Sequence, residues 1–127
     1  MATARPDLKE RAVDFLRMAA SGQAREAFAR FAAPGFRHHN PWFADGADTL
    51  AAAMDENAAA HPGKQLDIQR VLRDGDLVAI HSRVRMQPSD RGIAVVHILR
   101  FEDGRLAELW DIGQPVPEQS PNGAGMF

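Results

Sequence analysis

Along the first half of the chain apolar residues recur at spacings of three and four; along the second half they alternate with polar ones. Leu8, Ala12, Phe15, Leu16 and Ala19 give one apolar stripe, which predicts an amphipathic helix over Pro6–Ala20 with a proline near its first turn and Ser21-Gly22 as its stop. A second helix is expected over Gln23–Ala32, burying Ala24, Ala27, Phe28 and Phe31, and Pro34 with Gly35 forbids its continuation. Phe36–Asn40 is too short and too polar for a helix. Because Pro41 pushes Asn40 towards an extended backbone, the segment reads as a brief strand. Asp48 then offers a cap for a third helix, running to about Ala60 with Leu50, Met54 and the alanines turned inwards.

The strand-like half divides at DGD, QPSDR and EDG into Leu66–Arg73, Leu77–Met86, Gly92–Phe101 and Arg105–Gly113, the spacing of consecutive antiparallel hairpins. Helices first and strands afterwards predict an α+β fold, with three helices on one face of a curved antiparallel sheet. Residues 1–127 read as one domain, of which 114–127, rich in Pro and Gly, form an extended arm whose Met126 and Phe127 suit an apolar docking place.

Within VVHILRFEDGRLAELWDIGQ two polar residues, His97 and Asp111, interrupt apolar strands, and whether they share a face depends on the turn between them. A two-residue type I′ turn at Asp103-Gly104 puts His97 opposite Trp110 and Asp111 behind the sheet. A three-residue turn over Glu102, Asp103 and Gly104, closed by a glycine bulge, puts His97 opposite Leu109. Asp111 is then its diagonal neighbour, roughly 7–8 Å away. In that second register Ile93, Val95, His97, Leu99 and Phe101 share a face with Ala107, Leu109 and Asp111. Leu106, Glu108, Trp110 and Ile112 lie on the reverse. The apolar pattern alone leaves both registers open. In the bulged register the reverse face is too apolar for free exposure, so a homodimer built sheet to sheet is expected.

Composition narrows the chemistry. The formal net charge is −2 with 25% charged residues, and no run of Lys or Arg invites nucleic acid or an anionic membrane. Without cysteine there is no thiol nucleophile, disulfide or thiolate metal site. Charges threaded through the leading segment argue against a signal peptide, and a cytoplasmic protein is the expectation. No two histidines stand four apart on a helix. A metal site would need His39, His81 and His97 to converge with a carboxylate, so neither metal nor cofactor is expected.

The order of elements, the FRHHNP strand, the phrase GDLVAIHSRV, the hairpin VVHILRFEDGRLAELWD and the closing QPVPEQSPNGAGMF resemble the SnoaL-like polyketide cyclases of the nuclear transport factor 2-like superfamily. The resemblance implies a cone-shaped, cystatin-like α+β domain enclosing a deep pocket. It favours the register that brings His97 and Asp111 into that pocket together. In the aromatic polyketide cyclases an Asp on the last strand acts as acid and base beside a His on the preceding strand, and Asp111 and His97 match those positions. The superfamily's ketosteroid isomerases place a carboxylate base just before the proline of the first strand and a Tyr in the first helix. Here Asn40 and Phe15 stand there, and neither can serve.

The candidate catalytic pair is therefore Asp111 and His97. Removing a proton beside a carbonyl needs a base raised by an apolar pocket and a donor for the enolate. Candidate substrate-binding residues are His39, Trp42, His81, Phe15 and Met54. His38 and His39 point to opposite faces and parity does not choose between them; the resemblance favours His39. Each of these residues also has a plain structural use, Asp111 as an anchor for the C-terminal arm and His97 as a satisfied core histidine. The expected partner is a small apolar molecule, carbonyl-containing under the enzymatic reading. A cyclase or isomerase acting without a cofactor and a binding module that uses the same pocket without turnover both fit these residues.

Overall fold

The structure, a computed structural model, describes residues 7–127; Pro6 and the residues before it, on which part of the N-terminal reading rests, lie outside the described residues. Eight elements follow in the order α1 (Leu8–Ala20), α2 (Ala24–Phe31), β1 (Ala32–His38), α3 (Ala47–Ala60), β2 (Gln65–Asp74), β3 (Leu77–Arg85), β4 (Ile93–Glu102) and β5 (Arg105–Pro115). Asp7 caps α1, its side chain accepting from the Lys9 N–H at 2.9 Å, and the five stripe residues from Leu8 to Ala19 are all buried. The N-terminus of α2 has no local cap. The Asp55 carboxylate reaches it from α3, accepting from the Ala24 N–H at 2.7 Å and the Arg25 N–H at 3.3 Å, and so fixes α2 against α3. Phe15, Phe28, Phe31 and Phe36 meet edge to face beneath the helices, with ring centroids 5.0–6.4 Å apart.

Two expectations about local structure are corrected. Gly46, with φ 100, is the N-cap of α3, and Asp48 lies inside the first turn rather than at the cap. Asp45 carries the neighbouring backbone instead, accepting from the N–H groups of Gly46 at 2.8 Å and His38 at 3.3 Å. The sheet, in the order β1-β5-β4-β3-β2, is antiparallel except at one edge, where β1 runs parallel to β5. A single helix, α3, carries the chain from β1 to β2 at the opposite edge of the sheet, and Pro34 is tolerated because β1 is an edge strand.

The β4–β5 turn is also not the one the resemblance favoured. Asp103 (φ 51) and Gly104 (φ 77) form a two-residue turn with Glu102 opposite Arg105 and Phe101 opposite Leu106. The extra residue lies one step further on. Ala107 is bulged, so Arg100 pairs with Glu108, Leu99 with Leu109 and His97 directly with Asp111. Leu106 consequently lies on the covered face, not the reverse one. Leu106 and Leu109, three apart and both fully buried, can turn inwards together only if the strand gains a residue between them.

Beyond β5 the chain stays attached to the sheet through Val116 N–H to the Gly92 carbonyl, at 2.9 Å. Its end folds over the reverse face, where the Phe127 ring stacks on His81, 5.7 Å between centroids, under the Arg83 guanidinium.

Candidate functional site

Between α1, α3 and the covered faces of β2 to β5 the core does not close. A cavity of about 300 Å³ remains, walled by Leu16, Leu50, Met54, Val84, Ile93 and Val95 among others. That volume is at the small end of the roughly 300–1,000 Å³ typical of small-molecule sites. Five polar side chains enter it: Asn40, Asn57, Lys64, His97 and Asp111.

The β5 bulge decides the centre of the site. It sets Asp111 opposite His97, with His97 Nε2 3.7 Å from Asp111 Oδ1, too long for a hydrogen bond but open to a bridging substrate atom. The other carboxylate oxygen, Oδ2, accepts from Asn40 Nδ2 at 3.1 Å. Asn40 is itself held: its N–H donates to His38 Nδ1 at 3.1 Å, and its Oδ1 accepts from the Trp42 N–H at 3.0 Å. His38 Nε2 in turn lies 2.7 Å from the Ala44 carbonyl, so the bonds assign its proton to Nε2. A chain His38–Asn40–Asp111 thus orients the carboxylate and leaves Oδ1 free.

Burial lowers the pKa of His97, with the Asp111 carboxylate opposing and Lys64 assisting, so the imidazole is held neutral below its ordinary range. Its Nδ1 is buried without a partner. One strand across, the hydroxyl of Ser82 is equally buried and unpartnered. Lys64 follows the end of α3 and extends its ammonium to Asn57 Oδ1 at 2.6 Å. Burial lowers its pKa too, and Asp111 pulls it back.

Among the residues singled out from sequence, Asp111, His97 and Met54 line this cavity, and the other four do not. Phe15 is fully buried in the core behind the wall, because the stripe of α1 turns it towards Phe28 and Phe31. His39 is on the reverse face, where it meets Glu108 at 2.5 Å and stacks on Trp110; its neighbour His38 faces inwards. Trp42 is 84% exposed, and the next residue, Phe43, faces the cavity in its stead. His81 is on the reverse face between Arg70 and Phe127. With His39 and His81 on one side of the sheet and His97 on the other, the three do not converge, and no metal-binding cluster of His and carboxylates forms among the described residues.

Asn40, Asn57, Lys64 and Phe43 are site residues that sequence reasoning missed. Asn40 had a usable signal, an amide before proline at the end of a strand neighbouring the Asp111 strand. Lys64 and Asn57 had none, since a lysine after a helix C-terminus reads as a surface cation.

A profile of the SnoaL-like domain matches residues 12–109, well over half of the chain. The chain belongs to the SnoaL-like family. Comparison with curated protein sequences finds no match. Solved structures share the fold. A candidate ketosteroid isomerase from Kribbella flavida DSM 17836 superposes with a TM-score of 0.70 at 23% identity, covering 91% of this chain and 83% of that one. AclR, a candidate hydroxylase from Streptomyces galilaeus, gives 0.69 at 20%, covering 87% and 91%. A cystatin-fold protein from Novosphingobium aromaticivorans gives 0.69 at 15%, covering 84% and 98%. At such identities the likeness concerns the NTF2-like, cystatin-like fold, which hosts unrelated chemistries, so the activity of this SnoaL-like domain depends on the groups in its own cavity.

Proposed function

We propose that this SnoaL-like protein is a small-molecule enzyme of the cyclase or isomerase type, working by proton transfer next to a carbonyl. The observation that carries the reading is the facing pair His97–Asp111 in a hollow walled mainly by apolar side chains. One carboxylate oxygen is tied to Asn40, and the other faces a neutral imidazole across a gap of 3.7 Å. In the reaction Asp111 Oδ1 takes a proton from the carbon beside the substrate carbonyl. The C–H electron pair moves to the carbonyl oxygen, and the enolate either attacks a second carbonyl or is reprotonated at another carbon. His97, uncharged, donates or accepts a hydrogen bond at the same centre without adding charge. The substrate is a small, mainly apolar carbonyl compound, as the walls dictate.

Exchange of the α hydrogen tests this. Wild-type protein incubated with β-keto esters in heavy water should incorporate deuterium above the buffer rate, and Asp111→Asn should lose about 100-fold or more of that rate, the scale of a general base. A folded wild type with no exchange on any compound it binds would leave the second reading, a binding protein for the same ligands, supported by the predominantly apolar lining. In either reading we place the protein in the cytoplasm, acting as a homodimer through the reverse face of the sheet.

A further inference from the structure

Lys64 is unexplained by the pair alone. A cation set into an apolar wall costs desolvation, and a lysine at the end of a helix could stay in water. Instead its ammonium donates to Asn57 Oδ1 at 2.6 Å, and the residue lines the same cavity as His97 and Asp111. One N–H is spent on Asn57, which leaves two for a ligand. We propose that Lys64 is the carbonyl-oxygen site of this pocket, the cation that holds a 1,3-dicarbonyl substrate as its enolate. The proposal rests on the reading of Asp111 as the base, and it gives the enolate which that base forms a cationic partner.

Charge supports it. Across the cavity the Asp111 carboxylate favours the charged form of Lys64 through space. When Asp111 takes the α proton, the C–H bond breaks, an O–H bond forms on Asp111 and the electron pair settles on the substrate oxygens. The negative charge thus passes to the substrate, where Lys64 balances it again. At no stage does the apolar hollow hold an uncompensated ion, which would cost several kcal/mol in such a medium. The dicarbonyl follows from the strength of the base. A carboxylate is a weak base beside most carbon acids, and two flanking carbonyls acidify the C–H it must break. The delocalised enolate then presents two oxygens, one for the Lys64 ammonium and one for the neutral imidazole of His97.

Acetylacetone is the probe, because its enolate absorbs at longer wavelength than its enol. Wild-type protein at neutral pH should convert bound acetylacetone to the enolate spectrum. Lys64→Met should weaken that binding at least tenfold, and Lys64→Arg should restore part of it. Asp111→Asn, whose amide imitates the protonated acid, should bind the enolate as well as the wild type or better while losing deuterium exchange. If Lys64 only anchors the end of α3, Lys64→Met will change thermal stability and leave the enolate spectrum intact, and that result overturns the proposal. Borohydride trapping of a reduced adduct on Lys64 would overturn it as well, since the amine would then act covalently. Should Lys64→Met not fold, Lys64→Gln, of similar length and still able to bond Asn57, takes its place under the same criteria. A wild type that shows Lys64-dependent enolate binding but no exchange refutes Asp111 as the base and leaves the oxygen site standing. Exchange that needs Asp111 but ignores Lys64 does the reverse.

Discussion

At the scale of single residues the site is a problem in keeping charge where it can be compensated. His97 shows the cost most directly. In the unfolded chain it binds a proton near its ordinary value of about 6.5, while in the folded protein burial holds its pKa lower. Between those two values the unfolded state carries more protons, so stability rises with pH there and is lost as pH falls below about 6.5 towards the folded value. Urea midpoints of the wild type and His97→Gln at pH 7.5 and 5.5 should therefore differ, the wild type losing more on acidification. Equal losses in both proteins would mean that the folded imidazole takes up its proton as readily as the free one. Asp111 and His97 were legible from sequence as polar groups among apolar neighbours. Lys64 was not, because nothing in the one-dimensional pattern separates a cation drawn inwards by an amide seven residues back from one left in solvent.

At the scale of elements, two glycines hold the hairpins in the shape the pocket needs. Gly104 completes the Asp103-Gly104 turn with φ 77, and Gly104→Ala should cost about 1–2 kcal/mol, the penalty of a left-handed backbone with a side chain. Gly92 leads into β4 with φ 88, and a Cβ there would meet the Val84 carbonyl oxygen at 2.7 Å and Arg85 Cγ at 2.8 Å. Backbone strain of roughly 1–3 kcal/mol is then joined by a clash with the preceding strand, β3. Gly92→Ala should accordingly destabilise more than Gly104→Ala in urea titrations, and because Val84 and Ile93 line the cavity it should weaken ligand binding too. The strands themselves followed from alternation. Their register did not, because the bulge at Ala107 shifts it by one residue without disturbing the composition of either strand. The Leu106 and Leu109 spacing was the available clue.

At the scale of the whole molecule, the sheet has one face closed by helices and one that is open. On the open side Leu72 and Ile112 are each 61% exposed and Leu77 42%, an arrangement that a second copy would cover. The expected homodimer should be visible by sedimentation velocity, and Ile112→Arg, a charge placed in the middle of that contact, should shift the protein to monomer. A wild type that sediments as a monomer at all accessible concentrations would contradict the sheet-to-sheet pairing. The arm beyond β5 occupies part of the same face through Phe127, so its final residues would sit in or beside the contact.

The sequence by itself determined the succession of helices and strands, the apolar faces that pack them, and the resemblance to the SnoaL-like group, because periodicity and turn residues act over a few positions and are written locally. Only the tertiary structure decided which way each polar side chain points. His38 faces inwards and His39 outwards, Trp42 gives way to Phe43 at the cavity, and one bulged alanine sets Asp111 against His97. The physical reason is the two-residue repeat of a strand: a single inserted residue reverses the facing of everything after it, and where the insertion falls is settled by which arrangement buries the most apolar surface across strands distant in the chain.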